Sequence, residues 1–296
     1  MSARYRLDEF LVAKGLYSSR SRARDAVLRG TVYVNGEKAA KPAQMVLPDA
    51  AIMLDDAARR YVSRAALKLK HGLAHFGISA KGRCALDIGA STGGFTQVLL
   101  AEGAAHVTAI DVGHGQMMIQ DKRVTLIEGL NARDLTRGHL DHSVDLIVCD
   151  VSFISLKLAL PPALDLAEEG ANLIALIKPQ FEVGRHGLGK GGLVTDPALH
   201  ERVCAEIAEF VSRLGWRILG ISPSPLEGGD GNKEFLLAAR KGLSPPDRDG
   251  EGNDRPARWP SSLRQPEPRG CQHTGRGGPW SSHPLLRHST SRSYAY

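Results

Sequence analysis

CALDIGASTGGFT, residues 84–96, is the stretch that decides the fold of this 296-residue chain. Its first five residues are mostly apolar and predict a buried strand, and the helix that follows is predicted to begin near Phe95 and Thr96. The loop between them holds glycines at positions 89, 93 and 94. Glycine is needed where the backbone passes close to a ligand, and open α/β sheets bind ligands beyond the carboxyl ends of their strands. The stretch therefore predicts a strand–loop–helix unit with a ligand site in its loop.

Six further apolar runs follow along the chain. They are HVTAIDV (106–112), RVTLIEG (123–129), VDLIVCD (144–150), NLIALIK (172–178), WRILGI (216–221) and EFLLAAR (234–240). Near-continuous apolar strands at this spacing favour a mostly parallel sheet with helices on both faces. We therefore predict an α/β fold with a doubly wound, Rossmann-like sheet over residues 64–243. A small α+β domain over residues 1–58 and a linker over 59–63 precede it.

The glycine loop favours one kind of nucleoside ligand. A dinucleotide site requires GxGxxG with a pyrophosphate at the helix N-terminus, whereas this loop reads GxxxGG and follows Asp87. That pattern suits S-adenosylmethionine, which has no phosphate and presents an amino group to a carboxylate. Asp111, about twenty residues further on, can bind both ribose hydroxyls, a spacing that NAD sites share. The predicted cofactor-binding residues are Asp87, Gly89, Ala90, Ser91, Gly93, Gly94, Phe95, Asp111, Val112, Asn131 and Asp150.

Four charged residues are predicted to flank this ligand crevice. Asp150 and Lys178 each close an apolar strand, Lys68 lies on the helix before the first strand, and Glu234 begins a late strand. Lysine is rarely buried without a purpose. Neighbouring positive charge and desolvation lower the pKa of a lysine, which makes it a competent base for a weak acid such as a sugar hydroxyl. The four residues are therefore candidates for a proton-abstracting unit.

The N-terminal part of the chain is basic, whereas the rest up to residue 243 is nearly neutral. Residues 1–62 hold eleven Lys and Arg against seven Asp and Glu, and residues 63–243 hold nineteen against twenty. Apolar spacing predicts two short helices, the second ending at Gly30, and then a hairpin that turns at Asn35-Gly36. A basic helix beside such a hairpin indicates a phosphate-binding surface. Charge alone fits a solvated basic face equally well.

Three stretches of this N-terminal part resemble a known RNA-binding domain. RLDEFLVAKG (6–15), SSRSRARDAVLRG (18–30) and VYVNGE (32–37) are similar to the alpha-L RNA-binding domain, with coverage of about residues 4–55. The resemblance implies binding to structured RNA, with Arg20, Arg22 and Arg24 as the first candidates for backbone contacts. The full set of predicted RNA-binding residues is Arg4, Arg6, Arg20, Arg22, Arg24, Arg59 and Arg64.

A second resemblance covers most of the chain. The motifs that carry it are SRAALKL (63–69), LDIGASTGGFT (86–96), AIDVGHGQ (109–116), CDVSFISL (149–156), LIKPQFEVG (176–184) and GNKEFLL (231–237). In this order and spacing they resemble the TlyA family of FtsJ-like ribose methyltransferases, from about residue 4 to residue 241. The family's linker motif Arg-x-Trp-Val stands here as Arg59-Arg60-Tyr61-Val62, with tyrosine in place of tryptophan.

This resemblance implies an activity and assigns roles. It implies S-adenosylmethionine-dependent 2′-O-methylation of cytidine in ribosomal RNA of the large subunit, and in some members also of the small. The family's Lys-Asp-Lys-Glu tetrad falls on Lys68, Asp150, Lys178 and Glu234. Lys178 would be the base on the ribose hydroxyl, with Asp150 beside it and the other two residues orienting it and balancing charge. The implied partners are ribosomal RNA or ribosomal subunits in the cytoplasm.

Several alternatives compete with this interpretation. A base methyltransferase would show a Pro-Pro motif after the fourth strand or a cysteine nucleophile, but the sequence there is DVSF and Cys149 is predicted to point away from Asp150. A non-enzymatic RNA-binding or ribosome-assembly factor would not need the complete tetrad. A pore-forming haemolysin would need a membrane-spanning run, which the sequence lacks. Phe153 and Phe181 either stack on a flipped-out cytosine or pack in the core.

The remaining expectations concern the cysteines and the C-terminal segment. Cys84, Cys149, Cys204 and Cys271 have no metal-ligand spacing, so no metal site is predicted. Residues 244–296 hold eight of the sixteen prolines and no Lys, Val, Ile, Met or Phe. A segment of this composition cannot bury a core and is predicted to be a disordered tail. We hypothesise that it is an out-of-frame or read-through extension.

Overall fold

The computed structural model describes residues 3–184, 187–229 and 231–242. The predicted disordered tail, 244–296, lies outside the described residues. The N-terminal domain contains two helices and five short strands: β1 (Tyr5–Arg6), α1 (Leu7–Ala13), α2 (Arg20–Leu28), β2 (Val32–Val34), β3 (Glu37–Lys38), β4 (Met45–Val46) and β5 (Ile52–Leu54).

The two helices of this domain pack over a small apolar core. Leu7, Leu11, Ala23, Ala26 and Val32 are each 0% exposed and belong to one buried cluster. Strands β3, β2 and β5 form an antiparallel sheet, and β1 pairs with β4, a pairing that apolar spacing did not predict. The small α+β domain expected from the sequence is confirmed.

The hairpin between β2 and β3 turns where the sequence predicts it. Asn35 has a φ of 52° and Gly36 a φ of 85°. Two consecutive residues with positive φ are what a tight hairpin turn requires, and Asn-Gly adopts them at low cost. The turn fixes the register in which Val34 faces Glu37.

A seven-stranded sheet forms the larger domain. Its elements in chain order are α3 (Ala65–Phe76), β6 (Cys84–Ile88), α4 (Gly94–Ala101), β7 (His106–Asp111), β8 (Val124–Glu128), β9 (Val144–Cys149), α5 (Leu156–Ala159), α6 (Pro161–Leu166), β10 (Ala167–Ile177), α7 (Pro197–Arg213), β11 (Trp216–Pro223) and β12 (Phe235–Lys241). The strand order is β11-β12-β10-β9-β6-β7-β8. Strands β10 through β8 in that order run parallel, and β12 is antiparallel to both of its neighbours.

Helices cover both faces of this sheet. Side chains of α3 and α4, such as Leu69 and Val98, pack in one cluster with Val148 and Ile174 of the central strands. Every residue of β10 from Leu173 to Ile177 is at most 1% exposed, so its opposite face is covered as well. The predicted doubly wound α/β sheet is therefore confirmed.

The strand order places a ligand crevice between β6 and β9. After β6 the chain builds β7 and β8 on one side and then crosses to β9 on the other. The loops after the two strands leave in opposite directions, and ligands bind at such a switch point. The amide of Asp150 donates a hydrogen bond to the carbonyl of Ile88 (2.9 Å), so the two loops begin side by side.

Candidate active site

An open cleft of about 1330 Å³ lies at the carboxyl ends of β6, β7 and β9. Of the predicted cofactor-binding residues, Gly89, Ser91, Asp111, Val112, Asn131 and Asp150 line it. Asp111 accepts hydrogen bonds from the amides of Ser91 (2.8 Å) and Gly113 (2.7 Å), so its carboxylate is fixed at the rim of the cleft. The cleft therefore presents a carboxylate at the end of β7, in the position that binds ribose hydroxyls in nucleoside sites.

The glycine loop is shaped by close backbone contacts. A Cβ atom on Gly89 would lie 2.8 Å from the carbonyl oxygen of Asp150, and the φ of Gly89 is +81°. A Cβ atom on Gly93, where φ is +92°, would lie 2.6 Å from side-chain atoms of Met117 and Ile119. Both glycines are thus required by positive φ and by lack of space, as the sequence pattern indicates.

Five residues of the predicted cofactor set stand behind the cleft and do not line it: Asp87, Ala90, Gly93, Gly94 and Phe95. Phe95 is only 3% exposed and packs in the core against α3. It is the second residue of α4, and sequence spacing cannot tell a ring that faces a ligand from one that faces the sheet.

Asp87 is the most unusual carboxylate of the loop. It is 0% exposed and accepts a hydrogen bond from the hydroxyl of Thr96 at 2.6 Å. Its other oxygen, Oδ1, is buried with no hydrogen-bond partner among the described residues. Burial raises its pKa to about 7. A buried carboxylate with a free oxygen, next to a loop that excludes side chains, fits an adenosyl ligand with an amino group better than one with phosphates.

A second cavity, of about 480 Å³, adjoins the cleft and contains all four tetrad residues, Lys68, Asp150, Lys178 and Glu234. Asp150, Ser152 and Phe153 line both cavities. Lys68 and Glu234, 166 residues apart in sequence, are in contact here, and the cavity brings together the four charged residues that were predicted to flank the crevice. The arrangement provides a pocket for a second reactant beside the cofactor cleft.

The tetrad consists of two ion pairs. The ammonium group of Lys178 lies 2.7 Å from Oδ1 of Asp150 and donates a hydrogen bond to the hydroxyl of Ser152 at 2.9 Å. Lys68 pairs with Glu234. Lys68 and Glu234 are each 5% exposed and Lys178 is 8% exposed, and burial raises the pKa of Glu234. Each buried cation therefore has its own carboxylate, which is the condition for keeping such charges out of water.

Ser152 is a residue of this pocket that the sequence analysis did not predict. It occurs in the DVSF stretch, two residues after Asp150, but nothing in the sequence indicates that its hydroxyl would reach Lys178 on another strand. The one sequence signal for Ser152 is its position in a strand-end loop, between the predicted site residues Asp150 and Phe153.

Phe153 and Phe181 stand at the entrance of this pocket. Phe153 is 91% exposed and has a φ of +64°, a conformation that non-glycine residues rarely adopt. Its ring lies 5.1 Å from the ring of Phe181, with an angle of 50° between the planes. Phe153 is therefore not a core residue, and its backbone strain is of the kind found at functional sites.

The predicted RNA-binding arginines fall into two groups. Arg22 donates hydrogen bonds to the carbonyls of Val62 (2.9 Å) and Tyr61 (2.7 Å), Arg64 pairs with Asp25, and Arg59 donates one to the carbonyl of Leu16 (3.1 Å). The structure thus gives these three a role in holding the linker. A guanidinium group that binds the protein's own carbonyls is less available for phosphate.

Three of the other four predicted arginines line a separate cavity of about 530 Å³. Its basic residues are Arg6, Arg20, Arg24 and Lys41. The buried carboxylate of Asp8 accepts hydrogen bonds from Arg6 and Arg20 at 3.0 Å, and the bond from Arg6 helps to lower the pKa of Asp8 to about 2. Asp8 and Lys41 were not selected from the sequence. Arg4 is exposed and does not line this cavity.

Two features are absent from the described ranges. Within them there is no helix long and apolar enough to cross a membrane. There is also no cluster there of three or more His, Cys, Asp or Glu residues that could hold a metal ion.

The fold and the site define the class of protein, an FtsJ-like methyltransferase with an N-terminal S4 domain. Residues 61–241 match the FtsJ-like methyltransferase family, and residues 6–52 match the S4 domain. Within that class the chain belongs to the TlyA family, as its motifs predicted. It is 45% identical over 244 residues to the 16S/23S rRNA (cytidine-2′-O)-methyltransferase TlyA of Mycobacterium tuberculosis, which covers 81% of this chain and 91% of that protein.

Two further similarities agree with this assignment. Hemolysin A of Brachyspira hyodysenteriae is 39% identical over 235 residues, which is 78% of this chain and 98% of that protein. A solved structure from Streptococcus thermophilus has a TM-score of 0.64 and 38% identity, and covers 83% of this chain and 91% of that chain. The N-terminal domain and the methyltransferase domain thus recur together in proteins of similar length.

Proposed function

We propose that this protein transfers a methyl group from S-adenosylmethionine to the ribose 2′-hydroxyl of a cytidine in ribosomal RNA. The observation that carries the proposal is the pocket beside the cofactor cleft, where Lys178 and Lys68 are buried with one carboxylate each. The related protein from Mycobacterium tuberculosis is named for this reaction on 16S and 23S rRNA. We extend its substrate class to this chain, with the large subunit as the first candidate.

Adenosylmethionine would be held by the loops after β6, β7 and β9. The carboxylate of Asp111 would bind the ribose hydroxyls, and Val112 and Asn131 would border the base. Asp87 lies behind the glycine loop, and its carboxylate, which has one oxygen without a partner among the described residues, would support the positive charge of the amino group from there. When bound, the cofactor supplies an electrophilic methyl group. Asp150 borders both cavities, so it would lie between the cofactor and the acceptor.

The acceptor side needs a base that takes the proton of the 2′-hydroxyl. Lys178 in its neutral form would accept that proton at Nζ, while Asp150 and Ser152 hold the amine in place. Lys68 and Glu234 would orient the ribose, and as an ion pair they add no net charge to the pocket. Holding the hydroxyl and the methyl donor in adjoining cavities supplies much of the rate through proximity.

The base of the target nucleotide would stack at the pocket entrance. Phe153 is 91% exposed and its ring is next to that of Phe181, so the pair offers an aromatic surface that is open to solvent. Base–aromatic stacking contributes about 1–3 kcal/mol per base. This supports the stacking role for the two phenylalanines over a core-packing role.

The cavity around Asp8 is the proposed site for the RNA backbone. Arg6 and Arg20 are held by Asp8, and Arg24 and Lys41 complete the basic wall. Fixed guanidinium groups bind phosphate oxygens with little loss of side-chain freedom.

Residues of the same site disfavour the two main alternatives: Cys149 disfavours one, and the buried lysine–carboxylate pairs disfavour the other. A carbon methyltransferase would need a reactive cysteine, but Cys149 is 0% exposed and burial raises its pKa to about 12. A thiol that stays protonated cannot act as the nucleophile. A non-enzymatic RNA-binding factor would have no need to keep two lysines buried with two carboxylates. Membrane leakage is a third possibility because a relative is named a hemolysin, and liposomes would test it directly.

The deciding experiment is methyl transfer from labelled adenosylmethionine to unmethylated ribosomal subunits, followed by alkaline digestion of the RNA. Wild type, Lys178→Ala and Lys70→Ala are compared, because Lys70 is an exposed lysine on α3 outside the tetrad. A 2′-O-methyl group blocks cleavage at its own nucleotide. We expect label in an alkali-resistant dinucleotide from wild type and Lys70→Ala only. Label released as a mononucleotide would indicate a base methyltransferase, and absence of label would favour the binding-factor alternative.

A further inference from the structure

The two loops that carry Phe153 and Phe181 reach the pocket from different strands. One follows β9 and the other follows β10, and their rings meet 5.1 Å apart. Phe153 has almost no burial to hold it, since it is 91% exposed, and its φ of +64° is unfavourable by itself. Such a conformation costs about 1–3 kcal/mol and persists only where neighbouring contacts impose it. Another residue must therefore fix the loop.

Glu182 makes that connection with both of its carboxylate oxygens. Oε2 accepts a hydrogen bond from the hydroxyl of Ser155 at 2.6 Å, and Oε1 accepts one from the amide of Leu156 at 2.8 Å. Glu182 directly follows Phe181, and Ser155 stands two residues after Phe153. The two bonds thus join the loops close to both rings.

The surroundings of Glu182 strengthen this contact. Its side chain is half-buried, and burial raises its pKa. The charged groups that act on its pKa are Lys157 and Glu206, which pair with each other at 2.9 Å. Neither Lys157 nor Glu206 takes the place of Glu182 as acceptor of the hydrogen bonds from Ser155 and Leu156. Hydrogen bonds to a charged group contribute more than neutral ones, and a buried donor left without its partner is costly.

We propose that Glu182 is a positioning residue that clamps the β9 loop to the β10 loop, so that Phe153 and Phe181 form one fixed platform for the target base. This inference rests on the proposed ribose methylation and adds a base-positioning element to it. Glu182 lines neither cavity and does not touch the reacting atoms. It acts through the two rings. Without it the β9 loop is free to relax the strained backbone of Phe153, and the platform is lost.

The test measures kcat and KM for unmethylated ribosomal subunits with Glu182→Ala, Glu182→Gln, Phe153→Ala and the Glu182→Ala/Phe153→Ala double variant. Glu209→Ala is the matched control, because Glu209 is an exposed glutamate of α7 that pairs only with Arg213 among the described residues. Adenosylhomocysteine affinity, measured by calorimetry, reports whether the cofactor cleft is intact.

We expect Glu182→Ala to lower kcat/KM by roughly 10- to 100-fold, the loss that corresponds to hydrogen bonds with a charged group. Glu182→Gln keeps one acceptor and should lose less. Adenosylhomocysteine affinity should stay within about twofold of wild type, as expected for a residue outside the cofactor cleft. The double variant should be no worse than the poorer single variant, because both changes remove the same platform.

The possible failures are distinguishable. If the losses of Glu182→Ala and Phe153→Ala multiply in the double variant, the two residues act independently and the clamp is wrong. If Glu182→Ala and the milder Glu182→Gln both lose adenosylhomocysteine affinity, Glu182 supports the cofactor cleft as a whole and the clamp is wrong. If wild type places no label on a 2′-oxygen, it is the proposed function that fails.

Discussion

Lys68→Met removes one half of a buried ion pair and leaves Glu234 in a site that is only 5% exposed. Breaking such a pair from one side costs about 3–5 kcal/mol, since the remaining charge has no partner. Burial already raises the pKa of Glu234, and loss of the lysine raises it further. The carboxylate of Glu234 can therefore take up a proton, which keeps the loss of folding free energy near the lower end of this range, about 3 kcal/mol.

This loss should be visible as a change in melting temperature. For a domain of this size about 1 kcal/mol corresponds to 2–4 °C, so Lys68→Met should melt roughly 6–12 °C below wild type. The penalty should grow as the pH rises above the ordinary glutamate range, near 4.3, because protonation of Glu234 becomes harder. Lys70→Met, an exposed substitution on the same helix, should leave the melting temperature within about 2 °C.

The double variant Lys68→Met/Glu234→Leu separates stability from catalysis. Replacing both charges by apolar groups removes the unpaired carboxylate, so most of the lost stability should return. Methyl transfer should not return, because the pair is part of the tetrad. Thermal unfolding followed by circular dichroism and the labelled methylation assay measure the two effects. A double variant that is destabilised by the sum of the two single losses would refute the ion-pair reasoning.

Three further predictions follow from single residues. Gly89→Ala places a Cβ atom 2.8 Å from the carbonyl of Asp150. Adenosylhomocysteine affinity, measured by calorimetry, should therefore fall by roughly tenfold or more, which corresponds to about 1.4 kcal/mol of binding free energy. The control Gly103→Ala, also at positive φ but with its nearest neighbour at 3.5 Å, should lower stability without affecting affinity. Phe153→Gly relieves the backbone strain of a φ of +64°, so the melting temperature should rise by about 2–4 °C while methylation falls. An unchanged melting temperature would contradict the proposed strain. Asp8→Asn should lower the melting temperature at neutral pH, and its difference from wild type should shrink as the pH falls from about 4 towards 2, because the lowered pKa of Asp8 stabilises the fold only where the carboxylate is ionised.

Much of the fold could be predicted from the sequence because its signals are local. The apolar strands of the sheet, the glycine loop and the Asn35-Gly36 turn each depend on residues within about ten positions of one another. The tetrad was also predictable, since a lysine such as Lys178 at the end of a buried strand is costly to keep there and is uncommon outside functional sites. The pairing of β1 with β4 was not, because two-residue strands carry no periodicity.

The details of the site depended on side-chain direction, which spacing does not determine. Arg22 and Arg24 lie two residues apart on α2, yet Arg22 binds the linker carbonyls whereas Arg24 lines the basic cavity. Phe95 was predicted to bind the cofactor but packs in the core, whereas Phe153 is 91% exposed to solvent. Ser152 was passed over because its partner lies on a different strand. Each of these differences depends on the neighbour that a side chain faces, and the tertiary structure determines that neighbour.

The distribution of charge assigns catalysis and RNA attraction to different domains. The acceptor pocket holds two lysines and two carboxylates, and Arg64, which also lines it, pairs with Asp25. Each of its cations thus has a carboxylate partner, so the pocket has little net charge with which to attract a polyanion. The N-terminal cavity places Arg6, Arg20, Arg24 and Lys41 around Asp8, and Glu9 also pairs with Arg6 and Arg20, so the cations outnumber the carboxylates. Attraction between these cations and phosphates acts on any RNA and weakens with salt, whereas selection of a nucleotide requires contact with its base. Affinity should therefore be determined mainly by the small domain, whereas the aromatic entrance should position the target base in the pocket without distinguishing one base from another.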